Sequence, residues 1–366
     1  MNRFGVPEKT FATSRAGLVT AAAAVGLAAT AVWVEARARR AERHNPPEGE
    51  FIDIDGVDLH YIELGDGPPV VLLHGNAVTQ ADFSASGLMD LLAKNHRVIA
   101  FDRPGFGHST RPRDRLWTPA EQADLLHGAL ERLSVEQPVI VGHSMGCMVA
   151  MAMALNYPQD VRGLVLIAGY YYPSLRLDAL LTAPVALPVL GDAMRYTVTA
   201  LSSRALIGKM AKAMFAPKDV PDNFFAVLSR EMMLRPVQLR ANAEDAAFMV
   251  PVANSMAGRY HELTMPVTLI AGEEDKVVAP EGQSARLHQE LPHSELHVVP
   301  GAGHMVHYLA QDLIVKAVDG PSSAPSLDRF TDMTRDDLTL IAEPESKPEQ
   351  KTKSATESNA PELGRR

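Results

Sequence analysis

The chemistry most open to argument lies in one five-residue stretch, Gly142-His143-Ser144-Met145-Gly146. A serine hydroxyl is a weak nucleophile at its free pKa, so it needs an imidazole to take its proton and a carboxylate to hold that imidazole. The stretch follows an apolar, β-branched run, Pro138-Val139-Ile140-Val141, and precedes a helix-forming run from Cys147 to Leu155. A G-x-S-x-G set between strand and helix is a nucleophile elbow, a sharp turn that lifts the Ser144 hydroxyl clear of the sheet. Glycine at 142 and 146 lets strand and helix pass closely. The helix that follows points its free N–H groups, which favour negative charge, at the reacting centre.

The partners of Ser144 are sought where other strands end, because ligand-facing groups of a parallel sheet gather at the carboxyl ends of its strands. Pro266 to Ala271 and Glu295 to Val299 read as strands. The first leads into Gly272-Glu273-Glu274-Asp275-Lys276-Val277, and the second into Pro300-Gly301-Ala302-Gly303-His304. His304 is therefore the expected base and Asp275 the expected acid. Asp275 is taken over Glu273 and Glu274 because it lies furthest along its loop. His74, His108, His143 and His307 are expected to be structural or peripheral. The lone cysteine, Cys147, is expected to be a small buried side chain and cannot form an intrachain disulfide. No His, Asp or Glu set at metal-ligand spacing and no phosphate-binding or dinucleotide fingerprint stands out, so neither metal nor cofactor is expected.

The elements that must position these groups alternate. Phe51–Ile54 and Val57–Ile62 form a hairpin around Asp55-Gly56. Val70–Leu73 and Arg97–Phe101 are continuous apolar runs, as in strands buried on both faces. Ala81 to Lys94 has a helical pattern, and a helix with proline at its first position runs from Pro119 to about Leu133. Leu164–Ala168 is the next strand. This alternation predicts an α/β fold, a parallel sheet with right-handed crossovers. The pattern breaks at Tyr170-Tyr171-Tyr172-Pro173, and residues 173–260 are helix-rich without strand alternation: an insertion on the carboxyl side of the sheet, a candidate cap. The expected core is then 49–172 with 261–319. Met305 to Val318 closes it with a helix, and residues 320–366, rich in Ser, Pro, Glu, Asp and Lys, are expected to be a disordered tail.

Residues 1–48 are a separate matter. Ala16–Val34 is uncharged, and its nineteen residues as helix reach about 28 Å, close to a ~30 Å hydrocarbon core. Trp33 lies where an interfacial aromatic sits. A single-pass membrane anchor through 16–34 is the leading expectation, with a cleaved secretory signal and a soluble helical extension behind it. The slight excess of arginine after the run, Arg37, Arg39, Arg40 and Arg43, leans towards a cytoplasmic catalytic domain. The formal net charge of −9 gives no support to nucleic acid as a partner.

Over residues 50–319 the sequence resembles the α/β-hydrolase superfamily. The matching residues are His74-Gly75-Asn76, Asp102-Arg103-Pro104-Gly105-Phe106-Gly107-His108-Ser109, Gly142-His143-Ser144-Met145-Gly146, Gly272-Glu273-Glu274-Asp275 and Gly301-Ala302-Gly303-His304. The resemblance implies a doubly wound, mostly parallel eight-stranded sheet, with the helical cap inserted after the sixth strand. It implies an oxyanion hole of the Met145 backbone N–H and a second N–H from the 74–76 loop, taken as that of Asn76, acting on charge that develops only in the transition state. The expected activity is a serine esterase or lipase-like hydrolase acting on a small, lipophilic acyl substrate through an acyl-enzyme. A cofactor-free perhydrolase, an acyltransferase and a C–C bond hydrolase remain alternatives on the same triad, and an inactive binding module is the least favoured. His-Gly-Asn also resembles haloalkane dehalogenases, but those and epoxide hydrolases use an aspartate where this chain has Ser144. Tyr170, Tyr171, Val277 and Met305 adjoin the catalytic positions and are the expected substrate contacts, with Tyr172 beside them.

Overall fold

A computed structural model describes residues 15–320. The expectations for the tail beyond Gly320 fall outside the described residues. Eight strands form one sheet in the order β1-β2-β4-β3-β5-β6-β7-β8. They are β1 (Glu50–Ile54), β2 (Val57–Leu64), β3 (Pro69–Leu73), β4 (Arg97–Phe101), β5 (Val139–His143), β6 (Gly163–Ile167), β7 (Val267–Gly272) and β8 (Ser294–Val299). The pairs β1–β2 and β2–β4 are antiparallel and the rest are parallel. The hairpin turn forms as read: Asp55 and Gly56 both take positive φ, 52° and 78°, the two-residue geometry that matches strand twist.

Helices cover both faces. They are α1 (Arg15–His44), α2 (Ala81–Ala85), α3 (Leu88–Leu92), α4 (Pro119–Arg132), α5 (Met145–Asn156), α6 (Leu177–Ala186), α7 (Leu190–Arg195), α8 (Val198–Phe215), α9 (Phe224–Val227), α10 (Arg230–Met233), α11 (Pro236–Ala257), α12 (Arg286–Glu290) and α13 (Gln311–Asp319). Alternate residues of each central strand feed separate cores. Val71, Leu73, Ile99 and Ile140 pack with α4 and α5, and Val70, Leu72, Val98 and Val141 pack with α2, α3 and α13. The helix start at Thr118-Pro119 is as read, with the Thr118 hydroxyl accepting the Glu121 N–H at 3.2 Å. The single helix expected over Ala81–Lys94 is two short ones instead. Gly87 sits at φ 76° between them, a left-handed position that no continuous α-helix contains.

Helices α6 to α11 stand between β6 and β7, where the insertion was expected. A buried ion-pair cluster ties this cap to the core. Arg103, in the loop after β4, donates to Asp245 of α11 at 2.5 Å, and Arg111 donates to the other Asp245 oxygen at 3.0 Å. Arg103, Arg111 and Asp245 have fully buried side chains. Asp245→Ala leaves two guanidinium groups in the interior without their shared carboxylate. The expected loss is about 3–5 kcal/mol of stability, read as a lower denaturant midpoint at unchanged slope. A loss below about 1 kcal/mol would show that solvent reaches the pair.

Helix α1 extends past the apolar run and docks its second half on the cap. Val34, Ala38 and Ala41, one stripe of the helix, are buried. Arg37 pairs with Glu231 at 2.8 Å, and Arg235 pairs with Glu42 at 2.9 Å. The first half exposes Leu18, Val19, Val25, Leu27 and Val32. It is the described helix long and apolar enough to cross a membrane by length and composition.

Candidate active site

Ser144 occupies the junction of β5 and α5 with φ 53° and ψ −116°, a strained conformation for a residue with a side chain. The packing around it explains why the turn must be so tight. A Cβ on Gly146 would stand 2.0 Å from the Leu73 carbonyl oxygen of β3, so only glycine lets α5 descend onto the sheet. The same crowding brings the 74–76 loop over the elbow: a Cβ on Gly75 would lie 3.1 Å from the Ser144 Cβ. The segment expected to hold one oxyanion donor therefore runs directly against the serine, and Met145, expected to supply the other, is the first residue of α5.

Three groups from three loops form one chain of hydrogen bonds. The Ser144 hydroxyl donates to His304 Nε2 at 2.9 Å. His304 Nδ1–H donates to Asp275 Oδ2 at 2.8 Å. The other Asp275 oxygen accepts the backbone N–H groups of Val277 and Val278 at 2.8 and 2.9 Å. Asp275 and His304 are 5% and 3% exposed and Ser144 9%, so the chain is nearly dry but reachable at the serine end. Glu274, weighed earlier as an acid, is exposed.

The histidines set aside by the sequence reading have supporting places. His143 Nε2–H donates to the His304 carbonyl at 3.1 Å, bracing the loop that carries the base. His307 Nε2–H donates to Asp82 at 3.0 Å, and the Tyr308 hydroxyl donates to the other Asp82 oxygen at 2.8 Å. Asp82, His143 and His307 bring ligand-type atoms within 4.8 Å of one another, a spacing a metal ion accepts that the sequence, with the three on separate elements, did not display. As they stand, all three residues are engaged in these hydrogen bonds, and the cluster works as a brace. His74 is held neutral, its pKa lowered to about 4 by burial, so that Nε2 accepts the Arg103 N–H while Nδ1–H donates to the Gly75 carbonyl. Burial raises the Cys147 thiol to about 12, and it is not a second nucleophile.

The expected substrate contacts divide. Tyr170 is fully buried in a small cluster with Met145, Met148 and Met249. Met305 is buried against Val78, Phe215 and Met233. Val277 is half-buried beside Asp275. Tyr171 is corrected: it lies wholly inside the core cluster, fully buried, its backbone N–H held by Gln283 at 2.6 Å. Tyr172 is in that core as well. The run of three tyrosines turns inward because the chain leaves β6 and must bury bulk beneath the cap before α6 begins. The reading missed Asn242 of α11. Its side-chain oxygen accepts the Ala77 N–H at 2.8 Å and so helps shape the 74–77 loop from the cap side. Nothing local to Asn242 signals that partner, 165 residues away.

Comparison with known proteins places this architecture. A family model described as the alpha/beta hydrolase fold matches residues 68–311. A 2-hydroxymuconate semialdehyde hydrolase of Pseudomonas sp. strain CF600 is 30% identical over 271 residues, covering 72% of this chain and 90% of the relative. A 2-(acetamidomethylene)succinate hydrolase of Mesorhizobium japonicum is 29% identical over 276 residues, 73% of this chain and 92% of the relative. Among solved structures, an alpha/beta hydrolase fold protein from Burkholderia ambifaria superposes with a TM-score of 0.62 at 23% identity, covering 74% of this chain and 96% of that one.

Proposed function

The chain belongs to the α/β-hydrolase fold family, and from that premise we propose that it is a serine hydrolase that splits a bond to an acyl carbon through Ser144, His304 and Asp275. The observation that carries this is the unbroken chain from the Ser144 hydroxyl through His304 to Asp275. His304 takes the serine proton as Oγ attacks the carbonyl. The backbone N–H groups of Met145 and Asn76 bind the oxyanion. His304 returns the proton to the leaving group, then activates the water that frees the acid.

The bond is the finer question. The named substrate of one relative, 2-hydroxymuconate semialdehyde, contains neither ester nor amide, so a hydrolase acting on it must open a carbon–carbon bond. Likeness to that relative puts a carbon–carbon bond beside an aldehyde or ketone carbonyl first for this chain: with the substrate's enol in its keto form, the electron pair of the broken bond flows into that conjugated ketone, and His304 protonates the resulting dienolate. The carboxylic ester, put first by the sequence alone, is the second reading. It is favoured by the surroundings, since the muconate and succinate compounds carry carboxylates while the guanidinium behind the oxyanion loop, Arg103, is already taken by Asp245, Gln122 and Asn76. The test is a paired panel, conjugated enol-ketones followed by loss of their absorbance and p-nitrophenyl esters of rising chain length. Turnover of one class that disappears in Ser144→Ala supports the proposal. Inertness to both, with acyl transfer to added alcohol also absent, overturns it in favour of a binding module.

The attachment of the chain is part of this reading. Helix α1 passes without a break from its exposed apolar half into the half docked on the cap, which supports a retained anchor. The full chain is expected to sediment with membranes and resist carbonate washing. A mature N-terminus beginning after the apolar run, read by mass spectrometry, would make the segment a cleaved signal instead.

A further inference from the structure

One face of α8 links the anchor helix to the catalytic loops. At its start, Ala200 packs with Val34 of α1 and Leu239 of α11. One turn on, Arg204 lies over the Trp33 ring at 5.3 Å and pairs with Glu231, the carboxylate that also takes Arg37. At its end, the Met214 carbonyl accepts the N–H of Met305, the residue after His304, at 3.3 Å. Between these ends runs a narrow open slot, walled by Val78, Ile207, Met210, Phe225, Met233 and Leu239. Leu239 is shared by the slot and by the α1 docking site, and Val78 lies two residues beyond Asn76, so the slot starts where α1 meets the cap and stops beneath the oxyanion loop. Its walls are almost wholly apolar; Ser203 and Asn242 are the polar residues along it.

An apolar slot half open to water is a standing cost that an alkyl chain removes, since each buried methylene is favourable. The surroundings name the source of such a chain. The apolar half of α1 ends at Trp33 and Val34, at the slot's outer end, and the first turn of α8, which meets it there, exposes Val198 and Leu201. Arg37 lies over the Trp33 ring at 5.5 Å, and Arg40 and Arg43 follow on the next turns of α1, away from the apolar half, where they suit anionic headgroups. We propose that the slot between α8 and the α9–α11 segment holds the long alkyl chain of the substrate, and that the chain reaches it from the bilayer in which α1 sits. This rests on the serine-hydrolase reading above.

The experiment uses the full chain in phosphatidylcholine vesicles and two inactivators, methyl and hexadecyl fluorophosphonates. Ser144 Oγ attacks phosphorus, the P–F bond breaks, fluoride leaves and the serine proton passes to His304, so the readout does not depend on which bond is the natural one. The hexadecyl-to-methyl ratio of labelling rates is expected to fall at least tenfold in Ile207→Trp and in Ser203→Trp relative to wild type. An unchanged ratio in both variants, including one where both rates fall alike through misfolding, overturns the slot. Labelling by the hexadecyl probe is expected to be faster when probe and protein share vesicles than when they start in separate ones; equal rates overturn supply from the bilayer. If neither probe labels wild-type Ser144, the serine-hydrolase reading falls and this inference with it, whereas labelling without chain preference removes the slot alone.

Discussion

Replacing Ser144 with alanine is expected to lower turnover by very roughly 10⁶ while leaving the melting transition almost where it was. The size follows from the division of labour in the site. Without Oγ there is no acyl-enzyme, and His304 is left to activate water at a position arranged for a side-chain oxygen. What survives is binding and the oxyanion donors of Met145 and the 74–76 loop, which act on any attack at that carbonyl. The fold has little reason to change. Alanine meets the same φ of 53° with the same Cβ, so the strain at the elbow is neither relieved nor increased. The hydrogen bond to His304 is lost, at about 1 kcal/mol, and His304 keeps its bond to Asp275. Steady-state turnover and a thermal scan on the same preparation check both halves. Residual activity within tenfold of wild type would place the nucleophile elsewhere.

The parts of this molecule legible in its sequence are those specified by neighbours along the chain. Val139–Val141 followed by a small-residue turn and an alanine- and methionine-rich helix can be little else than strand, elbow and helix, and the structure forms β5 and α5 around Ser144. Asp275 and His304 were found because strand ends in a parallel sheet share a rim, a rule of topology that needs no knowledge of contacts. The misses are tertiary with one exception. Tyr171 was read as a substrate contact because it adjoins the catalytic positions, yet burial decides by volume, and the space behind the sheet took the ring. Arg103 was quoted as part of a motif, but the residue that neutralises it lies in the cap, 142 positions on. Asn242 and the slot along α8 depend on how α11 lies across the core, which no periodicity in residues 173–260 announces. The break at Gly87 was the one local miss: a single glycine with a serine before it ends a helix that the apolar pattern alone would continue.

Asp275→Asn carries the second-largest expected loss, about 10⁴ in rate with the fold retained, and the reason is which nitrogen of His304 holds the proton. In the native site one carboxylate oxygen accepts from His304 Nδ1–H, which leaves Nε2 free to accept from Ser144. The other oxygen accepts from Val277 and Val278. An asparagine cannot satisfy both sides. If its oxygen stays on the two backbone N–H groups, its NH₂ faces His304 and selects the tautomer with a bare Nδ1. The proton then sits on Nε2, where it opposes the Ser144 hydroxyl, and the base is gone. If the amide flips, its oxygen accepts from His304, but its NH₂ meets two backbone donors. That orientation forfeits two hydrogen bonds in a pocket only 5% exposed. The first arrangement is the less costly, so the inactive tautomer dominates. The check is kcat against pH for Asp275→Asn beside Glu274→Gln, an exposed control in the same loop. A greater loss in Glu274→Gln would move the acid to that residue. A loss under tenfold in Asp275→Asn would mean that packing around the ring, and not Asp275, sets the His304 tautomer.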